Sequence, residues 1–217
     1  MSQISLVGAG PGPLELLTLR ALHRLEAAEV VVYDRLVGSE ILARIPQGAA
    51  RFDVGKRCGE PSPTQEEINA LLLALARTGK RVVRLKGGDP LVFGRGGEEA
   101  LHLARHGIEA ELVPGITAAL GCAASTLIPL THRGLARSLT LVTGHLMDEG
   151  DYRGWQGLTR AGHTLVFYMG LERAAQIRQG LLAAGASGDL PVALVVAGCS
   201  ARQQVHHARL EGLEQAA

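Results

Sequence analysis

The sequence predicts an α/β fold in two domains, each built on a parallel or mixed sheet with helical cover. Three observations lead there. Short runs of valine, leucine and isoleucine alternate with stretches whose apolar residues fall at helical spacing, the pattern of chains that pass from strand to helix and back. Glycine-rich turns stand where several of these runs end, and the 217 residues include 28 glycines. Hydrophobic residues make up 47% of the chain and aromatics only 3%, so the core has to be aliphatic, as in a buried parallel sheet.

In chain order, residues 4–7 read as a strand, and Gly8, Gly10 and Gly12 form a loop after it. Residues 14–26 follow as a helix, because Leu16, Leu17, Leu19, Leu22 and Leu25 recur at its period. A second strand, 29–33, ends at Asp34, and a third, 51–54, ends at Gly55-Lys56-Arg57. Thr64 with Glu67 makes a capping box for a helix that runs to about Thr78, where Gly79 stops it. Residues 81–85 are a strand, 98–106 a helix closed by Gly107, and 109–113 the last strand of a first domain, 1–114.

Pro114-Gly115 reads as the hinge to a second domain, 115–217, which opens on a helical stretch at 118–124. Strands are expected there at 139–143, 164–168 and 191–196, with a helix at 172–184. Residues 150–157 read as an exposed loop, and 204–210 offer one further strand.

Composition narrows the function. A net charge of +1 provides no field of one sign to recommend nucleic acid as a partner. No apolar run approaches the ~20 residues of a membrane span, and the N-terminus leads straight into a strand, so a cytoplasmic protein is expected. Cys58, Cys122 and Cys199 are widely separated without a C-x-x-C pair, which argues for reduced thiols over a disulfide framework or zinc site. Of 22 basic residues, three are lysines, Lys56, Lys80 and Lys86, and the other 19 are arginines. Where arginine is the habit, a lysine inside a motif hints at a need for a compact or titratable ammonium.

The densest motif is 84–99, Arg-Leu-Lys-Gly-Gly-Asp-Pro-Leu-Val-Phe-Gly-Arg-Gly-Gly-Glu-Glu, between a strand and a helix. The carboxyl end of a strand is where α/β folds place ligands. Gly87 and Gly88 let the backbone approach a ligand closely, Pro90 stiffens the exit and Asp89 offers an acceptor. Gly94, Gly96 and Gly97 surround Arg95, which with Glu98 brings a cation and a carboxylate to one mouth.

The first glycine loop, with Asp34 downstream, suggests a dinucleotide fingerprint. That reading fails at its third glycine, because Pro13 stands there and prolines bracket Gly12, blocking the amide-rich helix start that holds a pyrophosphate. His102 and His106 have the i, i+4 spacing of a metal pair but lack a third ligand, so no metal is expected.

Residues 85–99 resemble the signature of the S-adenosylmethionine-dependent tetrapyrrole methylases, most closely the uroporphyrinogen-III C-methyltransferase branch. Four more segments agree: Val7-Gly8-Ala9-Gly10-Pro11-Gly12, Tyr33-Asp34-Arg35-Leu36-Val37, Val113-Pro114-Gly115-Ile116-Thr117-Ala118, and Ile128-Pro129-Leu130-Thr131-His132-Arg133-Gly134. The similarity extends over essentially the whole chain. It implies the tetrapyrrole methylase fold, with S-adenosylmethionine in a cleft between two domains, held by Pro11, Gly87, Gly88, Asp89, Val92, Thr117, Ala118, Met169 and Gly198.

By the same resemblance Asp34 and Lys56 match a proton acceptor and donor. Arg95, Glu98 and Arg133 match residues that hold and deprotonate the tetrapyrrole, with His132 beside them. A substrate rich in carboxylates suits planar, bidentate guanidinium groups. The implied reaction methylates two ring carbons of uroporphyrinogen III, giving precorrin-2 for siroheme- or cobalamin-type synthesis and S-adenosylhomocysteine, in a homodimeric enzyme.

The chain departs from the family pattern at Pro13 and Ala197, and it lacks the family's final apolar strand. A C-terminal sheet one strand short, or an incomplete sequence, is therefore expected. Other readings remain: a later precorrin methylase, a ribosomal RNA or diphthine methylase of the same fold, or a non-catalytic S-adenosylmethionine-binding module. The Gly-Arg-Gly-Gly-Glu-Glu and Thr-His-Arg segments favour the uroporphyrinogen III reading over the other methylases.

Overall fold

The computed structural model describes residues 4–55, 63–144, 155 and 157–217. The chain divides into two compact units, Met1–Gly121 and Cys122–Ala217. The residues just after Pro114 still pack with the first unit, because the Gly115 backbone lies against Gly8 and donates to Asp89.

The first unit holds strands β1 (Ile4–Gly8), β2 (Val30–Tyr33), β3 (Ala50–Asp53), β4 (Val82–Lys86) and β5 (Glu111–Val113). They form one sheet in the order β3-β2-β4-β1-β5, every neighbouring pair parallel. Its helices are α1 (Leu19–Glu26), the short α2 (Ser39–Leu42), α3 (Gln65–Ala76), α4 (Gly96–Arg105) and the start of α5 (Ala118–Thr126).

Strand alternation distributes the side chains between two faces. Val7, Val31, Val83 and Leu85 join Ala21 and Leu25 of α1 and Ile41 of α2 in one core cluster. Ile4, Val30, Val32 and Val82 join Ile68 and Leu72 of α3 and Leu103 of α4 in the other. In β4 the even positions therefore face α3 and α4, which sends Arg84 and Lys86 to that side. Strands β1 and β4 are neighbours whose following helices cover opposite faces, so their carboxyl ends open a crevice at a topological switch point.

Local signals account for most element ends. Thr64 Oγ1 accepts from Glu67 N at 3.2 Å and Glu67 Oε2 accepts from Thr64 N at 2.7 Å, completing the predicted capping box. The first predicted helix, 14–26, divides in two. A 3-10 turn spans Leu14–Leu16, Leu17 is extended, and Thr18 caps a new helix by accepting from Ala21 N. The helix after the central motif begins at Gly96, two residues earlier than predicted, with Arg95 as its N-cap.

The second unit holds β6 (Ser138–Thr143), β7 (His163–Tyr168), α6 (Ala174–Ala183), β8 (Pro191–Val196), β9 (Gln204–Arg209) and the terminal α7 (Leu213–Ala216). β6 and β7 pair in parallel, whereas β8 and β9 pair antiparallel. Ile177 and Leu181 of α6 pack with Leu165 and Phe167 of β7, Val192 and Leu194 of β8, and Leu210 and Leu213. The strand predicted at 204–210 forms as β9. Most of the loop predicted at 150–157 lies outside the described residues, but Trp155 is buried against the Phe167 ring, centroids 5.2 Å apart, instead of exposed. An indole has enough apolar area to favour a place in the core.

Candidate functional site

The carboxyl end of the first sheet is built from backbones that touch. Gly10 N donates to Gly88 O at 3.1 Å and Gly88 N to Gly10 O at 2.7 Å, so the loops after β1 and β4 are joined across the crevice. A Cβ on Gly8 would lie 2.5 Å from Gly115 N, and one on Gly87 would lie 2.7 Å from the Leu36 Cβ. The glycines are needed because the loops after β1, β2, β4 and β5 converge there. Pro11 follows directly on the Gly10 bridge. Gly88, at φ 68°, faces the start of α5, its Cβ position 3.9 Å from Ala118 N and 4.0 Å from the Thr117 Cα. The fold thus gathers Gly87, Gly88, Thr117 and Ala118.

Asp89 holds this arrangement together. Its Oδ1 accepts from Leu91 N at 2.8 Å and its Oδ2 from Gly115 N at 3.0 Å. One carboxylate therefore closes its own turn and fastens the β5–α5 loop, while each oxygen keeps a lone pair for a ligand. Val92 lies on the same turn, its N donating to Asp89 O at 3.3 Å.

Beneath the turn lies a charge cluster that sequence reasoning did not assemble. Arg84 Nη2 donates to Asp34 Oδ1 at 2.6 Å, and Arg84 Nε to Glu99 Oε1 at 3.1 Å. Lys86 Nζ is 2.9 Å from Glu99 Oε1 and 3.9 Å from Asp34 Oδ2. Gln65 Nε2 of α3 completes the set at 3.4 Å from Glu99 Oε1. Arg84, Lys86 and Glu99 are buried and Asp34 is the member open to solvent, its side chain 28% exposed. Burial, and then the neighbouring Arg84, lower the Lys86 pKa below the ordinary lysine value. The scarcity of lysine had marked Lys86, but its partners, 13 and 52 residues away in sequence, carried no such mark. Lys56, the expected proton donor, lies outside the described residues.

The substrate residues inferred from the sequence fare differently from one another. Arg95 sits in the left-handed region at φ 58° and pairs bidentately with Glu98, at 2.9 Å and 2.7 Å. The hydrogen bonds from Arg95 hold the Glu98 carboxyl below its usual range. Glu98 is therefore a weak proton acceptor for as long as that pair persists. Arg133, in the second unit, has no carboxylate partner among the described residues. It stands in a turn closed by His132 N to Ala136 O at 2.8 Å, with the His132 ring against Arg133 O.

Met169 and Gly198 follow β7 and β8, again at the carboxyl ends of strands. Met169 is exposed, at φ 55°, and Ala197 and Cys199 on either side of Gly198 have φ 50° and 61°. Cys122 and Cys199 are free thiols; burial, with Cys199 nearby, pushes Cys122 up to about 11. The rings of His102 and His106 lie with centroids 4.7 Å apart, tilted by 40°, and no metal-binding cluster occurs among the described residues. No helix of the described residues is long and apolar enough to cross a membrane.

Residues 3–214 match the model of a protein family described as Tetrapyrrole (Corrin/Porphyrin) Methylases. A siroheme synthase of Edwardsiella ictaluri is 53% identical over 212 residues, 98% of this chain and 46% of that protein. The chain therefore spans about half the length of the curated relatives it matches. Among solved structures, the uroporphyrin-III C-methyl transferase of Thermus thermophilus complexed with S-adenyl homocysteine is 44% identical. It superposes with a TM-score of 0.84 over 98% of this chain and 90% of that one. A cobalt precorrin-4 methyltransferase involved in cobalamin biosynthesis, 26% identical, gives a TM-score of 0.82 over 98% of this chain and 87% of its own. With its crevice at the ends of β1 and β4 and a family match over nearly its full length, this chain belongs to the tetrapyrrole methylases.

Proposed function

We propose that the chain is a C-methyltransferase that moves methyl groups from S-adenosylmethionine to two ring carbons of uroporphyrinogen III, giving precorrin-2 and S-adenosylhomocysteine. The observation that carries this reading is the crevice where Gly10 and Gly88 exchange backbone hydrogen bonds beside Asp89 and Ala118, in a chain 44% identical to a methyltransferase holding S-adenyl homocysteine. The residues suit that donor. Gly88 keeps a side chain out of the crevice, Asp89 retains acceptor capacity, and Val92, Ala118 and Met169 are apolar surfaces suited to an adenine ring. S-adenosylmethionine supplies a methyl group already activated on a sulfonium, so the protein's task is to orient the two reactants, exclude water and take up a proton.

Arg133, whose guanidinium has no carboxylate partner among the described residues, recognises a substrate carboxylate, with His132 beside it. Arg95 does so by exchanging Glu98 for the substrate, and the released Glu98 recovers the basicity of an ordinary carboxylate. Asp34 acts as proton acceptor and Lys56 as donor. Pro11, Gly87, Thr117 and Gly198 complete the donor-binding set. The protein is read as a cytoplasmic homodimer of two-domain subunits, 1–114 and 115–217, serving siroheme- or cobalamin-type synthesis.

Anaerobic incubation with uroporphyrinogen III and S-adenosylmethionine, followed by mass spectrometry of the pigment, tests the reading. Two added methyl groups support it; none, with donor binding intact, overturns it. Arg133→Ala is expected to raise the KM for the tetrapyrrole about tenfold, the effect of removing one charge-assisted contact of ~1.4 kcal/mol. Donor affinity by calorimetry should stay unchanged.

A further inference from the structure

We propose that Glu99 is a positioning residue for methyl transfer, acting through Arg84 and Lys86 to fix the Asp34 carboxylate at the crevice. The inference rests on the reading of Asp34 as proton acceptor given above. The Glu99 side chain is completely buried, and Oε1 carries Lys86 Nζ at 2.9 Å, Arg84 Nε at 3.1 Å and Gln65 Nε2 at 3.4 Å. Its Oε2, equally buried, has no hydrogen-bond partner among the described residues. Among the described residues its side-chain hydrogen bonds come from the two cations, at 2.9 and 3.1 Å, and more distantly from the Gln65 amide at the start of α3.

Both cations then reach the same carboxylate. Arg84 Nη2 holds Asp34 Oδ1 at 2.6 Å, and Lys86 Nζ stands 3.9 Å from Asp34 Oδ2, nearer to Glu99 than to Asp34. The four charges balance, two against two. Burying such a set is less favourable than filling the space with apolar side chains, so stability alone does not account for it. Its geometry does: the carboxylate of Asp34 is pinned on one oxygen and left with the other loosely attended. Lys86 is also the residue immediately before Gly87-Gly88-Asp89, so the cluster is continuous with the turn that receives the donor.

If Glu99 is made neutral, Asp34 becomes the sole carboxylate of the cluster facing Arg84 and Lys86, and it is drawn inward and held by both. Among the described residues, the charged groups that then face Asp34 are Arg84 and Lys86 from β4, with Glu98 of α4 acting on Lys86. The test compares Asp34→Asn, Glu99→Gln and the double variant in the 217-residue protein, assayed anaerobically with uroporphyrinogen III and S-adenosylmethionine. Glu99→Gln is expected to lower kcat about 100-fold, the effect of misplacing a reacting group by about 1 Å, with both KM values within about threefold. Its pH–rate profile should shift, and the double variant should be no slower than Asp34→Asn.

Normal kcat and pH profile in Glu99→Gln, with Asp34→Asn impaired, overturn the inference and leave the acceptor reading standing. Normal kcat in Asp34→Asn overturns both. Should Glu99→Gln fail to fold, Lys86→Met and Lys86→Arg serve instead. Loss of kcat in the first, partly restored in the second, supports the proposal, and equal loss in both overturns it.

Discussion

Strand β4 contains an arginine and a lysine yet is buried from end to end, whereas β7, His-Thr-Leu-Val-Phe-Tyr, carries no formal charge and is only half-buried along its whole length. Side-chain polarity alone would rank them the other way. The difference comes from position. β4 lies between β2 and β1, with α3 and α4 on one face and α1 and α2 on the other, so whatever its side chains are, they are enclosed. β7 pairs with β6, and α6 covers the side that Leu165 and Phe167 occupy. A central strand can hold charges provided that neighbouring elements bring the counter-charges, as the loop after β2 and helix α4 do with Asp34 and Glu99.

The buried cations of β4 depend on their counter-charges. Glu99→Ala leaves two buried cations with Asp34 alone and should cost about 3–5 kcal/mol of folding stability in urea denaturation. A loss below about 1 kcal/mol would mean that water reaches Arg84 and Lys86. Leu85→Ala in β4 should cost about 2–5 kcal/mol. Leu165→Ala in β7 should cost about half of that, because roughly half as much apolar area is enclosed. Equal losses would show that β7 is as well packed as β4.

The smallest effect concerns an ion pair at the edge of the same sheet. Glu111 of β5 accepts from Arg24 at 2.6 Å and 2.9 Å and from Ser5 at 2.9 Å, and the Arg24 hydrogen bonds lower its pKa. A carboxyl depressed in the folded state contributes stability above its unfolded value, ~4.3, and loses it as pH falls through the lower folded value. The stability gap between the parent protein and Glu111→Gln should therefore be full at pH 7 and close below about pH 4. A gap independent of pH would place its origin in packing.

Much of the candidate site was legible because local chemistry wrote it. Gly87, Gly88 and Asp89 are adjacent in sequence, the capping box at Thr64 and Glu67 needs one helical turn, and Gly79 and Gly107 mark helix ends by their own positive φ. The pairing of Arg95 with Glu98 is equally local, since the two stand three residues apart at the start of α4. The break at Leu17 is not legible in the sequence, because a leucine-rich stretch satisfies helical spacing whether or not Thr18 interrupts it to cap a new helix.

The alternation of strand and helix, the parallel sheet with its aliphatic core, and the turns where ligands belong are written in the sequence, since each follows from spacing and backbone preference within a few residues. The tertiary structure alone decided that Asp34, Arg84, Lys86 and Glu99 form one cluster and that Asp89 fastens a loop 26 residues away. Sheet order brings the ends of β2 and β4 side by side, and strand pleating sends Arg84 and Lys86 to the face that α4 covers. Such meetings depend on the order and register of strands far apart in the chain, which no local preference records.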